Sequence, residues 1–308
     1  MSIVICLLGP TAVGKTEVAL QLAKKLDAEI ISCDSMQVYQ GANIATCKPS
    51  KSQRKGIPHH LIDIVKPSGE YNAARFKAAA EEIIAKIHKR KKIPLIVAGT
   101  GLYLKALLDG LFVGPGQSKP LRQEFYQLAK KYGSAYLYQR LKRNDPEAAA
   151  NIHPHDLRRI VRALEVYQLS GQPISKLQKS LTGIKDKYAV STFGLIRPRQ
   201  ELYARIDKRV EWMFSRGLVA EIKKLSKLRL SKTAKSLLGY KEVLDLLKGK
   251  CSRDQAKELL KKNTRRYAKR QLTWFRKQKN VHWIEIGSGD SPAAVAKRIN
   301  SNVGDWKE

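Results

Sequence analysis

Cysteine is scarce in this chain of 308 residues, and none of the four (Cys6, Cys33, Cys47, Cys251) is spaced as CxxC. That spacing argues against a zinc knuckle or a disulfide framework and leaves buried or half-buried thiols in a reducing compartment. Long apolar runs are missing as well. No stretch approaches the roughly 18–20 residues of a membrane span. The run Ile3–Leu8 is too short, and lacks the basic flank, for a signal-peptide core. A cytoplasmic protein with no membrane partner is expected. Acidic residues are the third shortage: 27 Asp and Glu stand against 59 Lys and Arg, a formal net charge of +32. With 43 % hydrophobic residues, wholesale disorder is excluded, and the length suits one large domain or two.

The charge is unevenly spread. Residues 1–113 carry 16 basic and 9 acidic side chains, and residues 114–308 carry 43 and 18. So one-sided a surface repels itself unless a polyanion neutralises it, which points to nucleic acid.

Hydrophobic periodicity predicts an α/β protein. Ile3–Leu8 reads as a buried parallel strand and is followed by a helix from about Thr16 to Leu26. Glu29–Ser32, Leu61–Val65 and Ile93–Ala98 are further strands, with a helix over Ala73–Arg90 between the last two. After Gly114-Pro115-Gly116 only helices and turns are expected until Val190–Ile196 and Val281–Ile286 resume the strands. The expectation is a parallel sheet flanked by helices, of the P-loop NTPase-like class, formed by residues 1–113 and 188–308. An all-helical domain, 114–187, is inserted into it, and its helix from Asp156 to Leu169 starts at an Asp cap and stops at Gly171.

Gly9-Pro10-Thr11-Ala12-Val13-Gly14-Lys15-Thr16 fits GxxxxGK[ST], the phosphate loop of nucleotide-binding proteins, between a buried strand and a helix. Its backbone amides and the helix N-terminus suit phosphate oxygens. Lys15 reaches terminal phosphates, and the Thr16 hydroxyl suits Mg²⁺. A nucleoside triphosphatase usually carries an acidic residue at the end of an apolar strand, but Val97-Ala98-Gly99-Thr100 has none. The nearest carboxylate is Asp34, after the second strand; it serves as a metal ligand, a general base or a turn cap. Arg205, Arg209 and Arg216 recur at helical spacing, either as a diphosphate clamp or as a solvated stripe. From Arg253 to Lys279 there are 11 basic and 2 acidic residues with Tyr267, Trp274 and Phe275 among them, a pattern suited to RNA unless the rings are core.

Taken together, the motifs resemble those of the bacterial tRNA dimethylallyltransferases, also called tRNA isopentenyltransferases. The resemblance runs through the phosphate loop, Asp34–Tyr39, Pro58–Asp63, Gly99–Tyr103, Asp156–Tyr167, Leu202–Val210, Gly239–Glu242 and Thr264–Phe275. The chain departs from the family's pattern at Ala45, Cys47, Ala79, Ala98 and His155. The resemblance implies transfer of a dimethylallyl group from dimethylallyl diphosphate to N6 of the adenosine 3′-adjacent to the anticodon, in tRNAs reading codons that start with U. Diphosphate leaves, with Mg²⁺ assisting. It implies that Gly9–Thr16 hold the diphosphate, with Arg205 or Arg209 as the clamp, and that Asp34 accepts the N6 proton. Ser35, Met36, Gln37, Thr100, Arg122, Arg158, Arg159 and Arg162 would contact RNA beside Asp34, as would Arg265, Arg266, Lys269 and Arg270. A monomer is expected. The rival readings are a small-molecule kinase, a prenyltransferase of free adenine nucleotides and a non-catalytic RNA chaperone.

Overall fold

The computed structural model describes residues 2–112, 114–179 and 181–304. The chain starts with β1 (Ile3–Leu8), α1 (Lys15–Leu26), β2 (Ala28–Cys33), β3 (His59–His60), α2 (Ala73–Lys89), β4 (Ile93–Ala98) and α3 (Gly101–Leu108). A run of helices follows: α4 (Lys119–Tyr132), α5 (Ser134–Asn144), α6 (Pro146–Asn151), α7 (Leu157–Ser170) and α8 (Ile174–Leu177). Then come β5 (Ala189–Ile196), α9 (Arg199–Ser215), α10 (Leu218–Ser226), α11 (Tyr240–Leu247), α12 (Arg253–Phe275), β6 (His282–Glu285) and α13 (Pro292–Gly304).

The strands form one sheet in the order β3-β2-β4-β1-β5-β6, and every neighbouring pair is parallel. β1 shows why its sequence is uninterruptedly apolar. Val4, Cys6 and Leu8 pack into the core on one face, and Ile5 and Leu7 into the core on the other. A central parallel strand is covered on both sides, so no position is free to be polar. On the second face, Val18, Ala19, Leu22 and Ala23 of α1 supply one buried stripe.

The expected strand over Leu61–Val65 does not form. Pairing with β2 occurs at His59–His60, and the chain then turns. Leu61 and Asp63 have φ of 61° and 58°, in the left-handed region, which no extended strand accommodates. One isolated bridge, Tyr39 with Val65, is what remains of the pairing.

The chain divides into two compact units, residues 1–108 with 184–308, and residues 109–183. The second has its own core, centred on Phe125, Leu137, Leu141, Ile160, Val161 and Leu164. In it the Asp156 side chain caps α7 at the Arg159 amide, and Gly171, at φ 68°, ends the helix. Inside this unit Glu165 is 0 % exposed. Its carboxylate accepts from the Ser118 amide (2.8 Å), from Nε and Nη2 of Arg122 (2.9 Å each) and from Arg162 (2.6 Å). Among the described residues, no helix is long and apolar enough to cross a membrane.

Candidate active site

Strand register builds the site. Leu8 pairs with Ala98, and Ala98 pairs with Cys33, so the three strands end in one row. The next residues along the chain, Gly9, Gly99 and Asp34, therefore share the carboxyl edge of the sheet, where open parallel sheets bind ligands.

Gly9 begins the phosphate loop at φ 153°, and a Cβ there would sit 2.7 Å from the Leu195 carbonyl oxygen. Gly14, at φ 111°, is the residue before α1. Cations hold the loop from its carbonyl side. Lys15 Nζ donates to the carbonyls of Gly9 (2.8 Å) and Pro10 (2.7 Å). Arg205 Nε donates to the Ala12 carbonyl and Arg197 Nε to the Val13 carbonyl, each at 2.8 Å. Arg209 donates to the Thr11 hydroxyl at 3.1 Å. With its carbonyls drawn onto cations and the first turn of α1 lacking intrahelical acceptors, the loop has amide N–H groups to spare for an anion.

The two candidate clamps differ. Arg209 lines the cavity described below, whereas Arg205 spends its Nε on the loop itself. Burial, with Arg197 close by, holds the Arg205 guanidinium below its ordinary pKa. Burial also pulls the Lys15 ammonium down to about 7; repulsion from Arg209 adds to this, and Asp34 and Glu17 oppose it.

Of the roles open to Asp34, the structure shows the turn cap. Its Oδ1 accepts from the amides of Met36 (2.8 Å) and Gln37 (3.3 Å), which fixes the turn after β2. Its Oδ2 takes no hydrogen bond among the described residues and lies over Gly99, where a Cβ would approach to 3.0 Å. Thr100 Oγ1 accepts from the Ser35 amide at 2.9 Å, and Ser32 donates to Gln37 Oε1 at 2.8 Å. The carboxylate is thus held on one side and left able to take a proton on the other.

Both features open onto one cavity of about 370 Å³. Thr11, Lys15, Thr16, Asp34, Arg209 and Tyr267 supply polar wall, and Ala45, Cys47, Met213, Leu237 and Leu238 supply apolar wall. Burial pushes the Tyr267 hydroxyl upward, and the Asp34 charge adds to this, so it stays protonated. Among the described residues there is no cluster of three His, Cys, Asp or Glu fit to hold a metal.

A model of the family described as IPP transferase matches residues 37–278. The chain belongs to the IPP transferase family. It is 46 % identical over 292 residues to the tRNA dimethylallyltransferase of Halothermothrix orenii, covering 94 % of this chain and 89 % of that one. It is 47 % identical over 302 residues to that of Thermoanaerobacter sp. (strain X514), covering 96 % of each. Among solved structures, the tRNA isopentenylpyrophosphate transferase of Bacillus halodurans is 38 % identical with a TM-score of 0.71, over 99 % of this chain and 97 % of that one. A eukaryotic dimethylallyltransferase acting on tRNA is 31 % identical with a TM-score of 0.81, over 100 % and 80 %. As an IPP transferase the chain is an enzyme that transfers a prenyl group.

The basic residues assigned to RNA meet different fates in this IPP transferase. Arg122 and Arg162 are committed to Glu165, because a buried carboxylate needs charge compensation more than a surface needs two extra cations. Arg265 grips Asp207 through both ends of its guanidinium and lies over the Tyr203 ring. Arg159 pairs with Asp156 while remaining exposed, and Arg158 is exposed. Arg266, Lys269 and Arg270 are exposed on α12. A shallow groove along that helix is lined by Lys269, Arg270, Thr273, Trp274 and Lys277. Phe275 is core at 0 % exposure, and Trp274 is half-buried against Gly101.

Sequence reasoning missed Arg197 and Gln271. Arg197 follows β5 at the same sheet edge, and its position one residue after the strand was the available signal. Gln271 Oε1 accepts from the Thr11 amide at 2.9 Å, and its Nε2 donates to the Gly99 carbonyl at 2.7 Å. It falls on the buried stripe Leu260, Thr264, Ala268, Gln271, Phe275, where a long amide at helical spacing among small and apolar residues marks a specific partner.

Proposed function

We propose that this transferase moves a dimethylallyl group from dimethylallyl diphosphate to N6 of the adenosine 3′-adjacent to the anticodon, in tRNAs reading codons that start with U, and releases diphosphate. The observation that carries this reading is the opening of the phosphate loop and the unpartnered Asp34 Oδ2 onto one cavity. An exocyclic adenine amine is a weak nucleophile because its lone pair is delocalised into the ring. As N6 bonds to the allylic carbon, the carbon–oxygen bond to diphosphate breaks and the N6 proton passes to Asp34. Positive charge developing on the allylic carbon is tolerated by its double bond, so the barrier depends on the departing diphosphate. Loop amides, Lys15 and Arg209 meet that charge, while Arg197 and Arg205 hold the loop in shape.

Mg²⁺ fits as an ion carried by the diphosphate and touched by Thr16, since Mg²⁺ keeps several waters and favours phosphate oxygens over an all-protein cage. When bound, it supplies neutralisation of the leaving group. The apolar wall suits a five-carbon chain. A base in an anticodon loop unstacks at small cost to enter such a crevice. The exposed cations of α12 and Arg158 of the helical unit, whose contacts with tRNA belong to this proposal, hold the backbone. The enzyme works as a cytoplasmic monomer.

The test uses purified protein, Mg²⁺, radiolabelled dimethylallyl diphosphate and unmodified tRNA. Label is expected in acid-precipitable RNA and lost with Asp34→Ala. Equal labelling of AMP would move the acceptor to free nucleotides. Absence of label while tRNA still binds would overturn the reading.

A further inference from the structure

Gln271 is 8 % exposed on α12, and its two hydrogen bonds run to two different loops. One reaches the Thr11 amide in the phosphate loop; the other reaches the Gly99 carbonyl at the end of β4. Gly99 is in turn the residue against which Asp34 Oδ2 rests. A Cβ on Gly99 would meet Oδ2 at 3.0 Å and Gln271 Nε2 at 3.8 Å. The other Asp34 oxygen is pinned by two amides, so Gly99 is the backbone against which the second oxygen is placed. A single amide therefore spans the group that holds the leaving diphosphate and the group that takes the proton. Its orientation is fixed by chemistry: the carbonyl end faces an N–H, and the NH₂ end faces a C=O.

We infer that Gln271 is a positioning residue that sets the separation between the phosphate loop and the Asp34 carboxylate. This rests on the transferase reading above. Prenyl transfer needs the allylic carbon, held through its diphosphate, and the amine, held beside Asp34, at bonding distance together, and misplacement by an ångström costs rate steeply. Gln271 also consumes the Thr11 amide, so the diphosphate is received by the later amides of the loop and by Lys15. The same helix bears Lys269, Arg270 and Trp274 on its open groove, which puts the brace on the element that carries the exposed cations.

The test compares wild type with Gln271→Glu, Gln271→Met and Gly99→Ala, reading inorganic diphosphate affinity, single-turnover transfer to tRNA and its pH dependence. Gln271→Glu keeps an acceptor for Thr11 but sets a carboxylate against the Gly99 carbonyl. Its diphosphate affinity should stay within about threefold while transfer falls about tenfold or more. Its acid limb should move to higher pH, because a second negative charge disfavours ionisation of Asp34. Gly99→Ala should also keep diphosphate affinity and lose transfer. Gln271→Met, which severs both bonds, should lose both. The proposal is overturned if Gln271→Met transfers at the wild-type rate, or if Gly99→Ala does. It is also overturned if Gln271→Glu loses affinity and rate in equal proportion with its acid limb unmoved. Should wild type transfer no label while Gln271→Met still weakens diphosphate binding, the reaction assigned to the chain falls and the link between Gln271 and the loop stands.

Discussion

Asp34, in the turn after β2, and Glu165, within α7, are both carboxylates with hydrogen-bonded oxygens, yet they end in opposite conditions. Glu165, in the helical unit, has each oxygen bonded twice, by two arginines and an amide. Asp34, at the sheet edge, has one oxygen bonded twice and the other not at all among the described residues. The first is a structural anchor with its hydrogen-bonding capacity spent. The second is anchored enough to be aimed and keeps half its capacity for a proton. What separates the two is unspent hydrogen-bonding capacity, which is what the proposed role of Asp34 calls for.

That contrast can be broken by experiment. Asp34→Asn keeps the turn's acceptor and removes the proposed base; turnover should fall by about 10²–10⁴-fold with diphosphate affinity and melting temperature nearly unchanged. A matching loss of stability would make Asp34 a second Glu165. Conversely, Glu165→Gln should cost about 3 kcal/mol in denaturant unfolding, towards the lower end for a broken buried pair because both arginines keep some access to water. Burial raises the Glu165 pKa, but Arg122, Arg162 and the Ser118 amide together outweigh it and hold it below the ordinary carboxylate value. The stability it adds is therefore complete above that ordinary value and lost as pH falls through the depressed one. Acid unfolding followed by fluorescence should be less steep in Glu165→Gln.

A smaller effect separates the two arginines. Arg209→Ala should weaken diphosphate binding by about 10- to 100-fold, as expected for a lost charge-assisted contact. Arg205→Ala should act through the loop, lowering stability and affinity together; calorimetry beside thermal melts distinguishes them. A further effect is one of pH. Lys15 is lowered to about 7, so the ligand-free fold binds fewer protons than the unfolded chain between about 7 and the ordinary lysine value near 10.4. Stability from this group should rise with pH across that window and carry its full penalty below it. An anion restores the proton, so diphosphate should bind with proton uptake and lose affinity as pH climbs past 7. Calorimetry in buffers of different ionisation enthalpy, corrected for the diphosphate's own titration, reads this directly.

Much of the site was legible because it is local. The phosphate loop is eight consecutive residues, and Asp34 follows a strand whose apolar run announces it. Register does the rest, aligning Leu8, Ala98 and Cys33 at the ends of their strands. The unread parts depend on partners far along the chain. Nothing local to Arg122 or Arg162 says that Glu165 will be buried between them. Nothing near Gln271 names Thr11 or Gly99, which lie 260 and 172 residues away. Leu61–Val65 misled for a different reason: its apolar residues serve a turn, and left-handed φ at Leu61 and Asp63 leaves no trace in hydropathy.

The strand order also governs how the protein is made. β1 precedes one of its two neighbours, β5, by the whole helical unit, since β5 starts at Ala189. Until β5 has been synthesised the central strand carries an open edge, with Ile3–Leu8 exposed on the side that β5 will cover, a template for pairing with another nascent chain. The unit of residues 109–183 is contiguous and built from neighbouring helices, so its contacts are local and can form before β5 is made. The arginines that shape the phosphate loop, all beyond residue 196, are synthesised later still, so the loop gains its side-chain braces only after β5 is made.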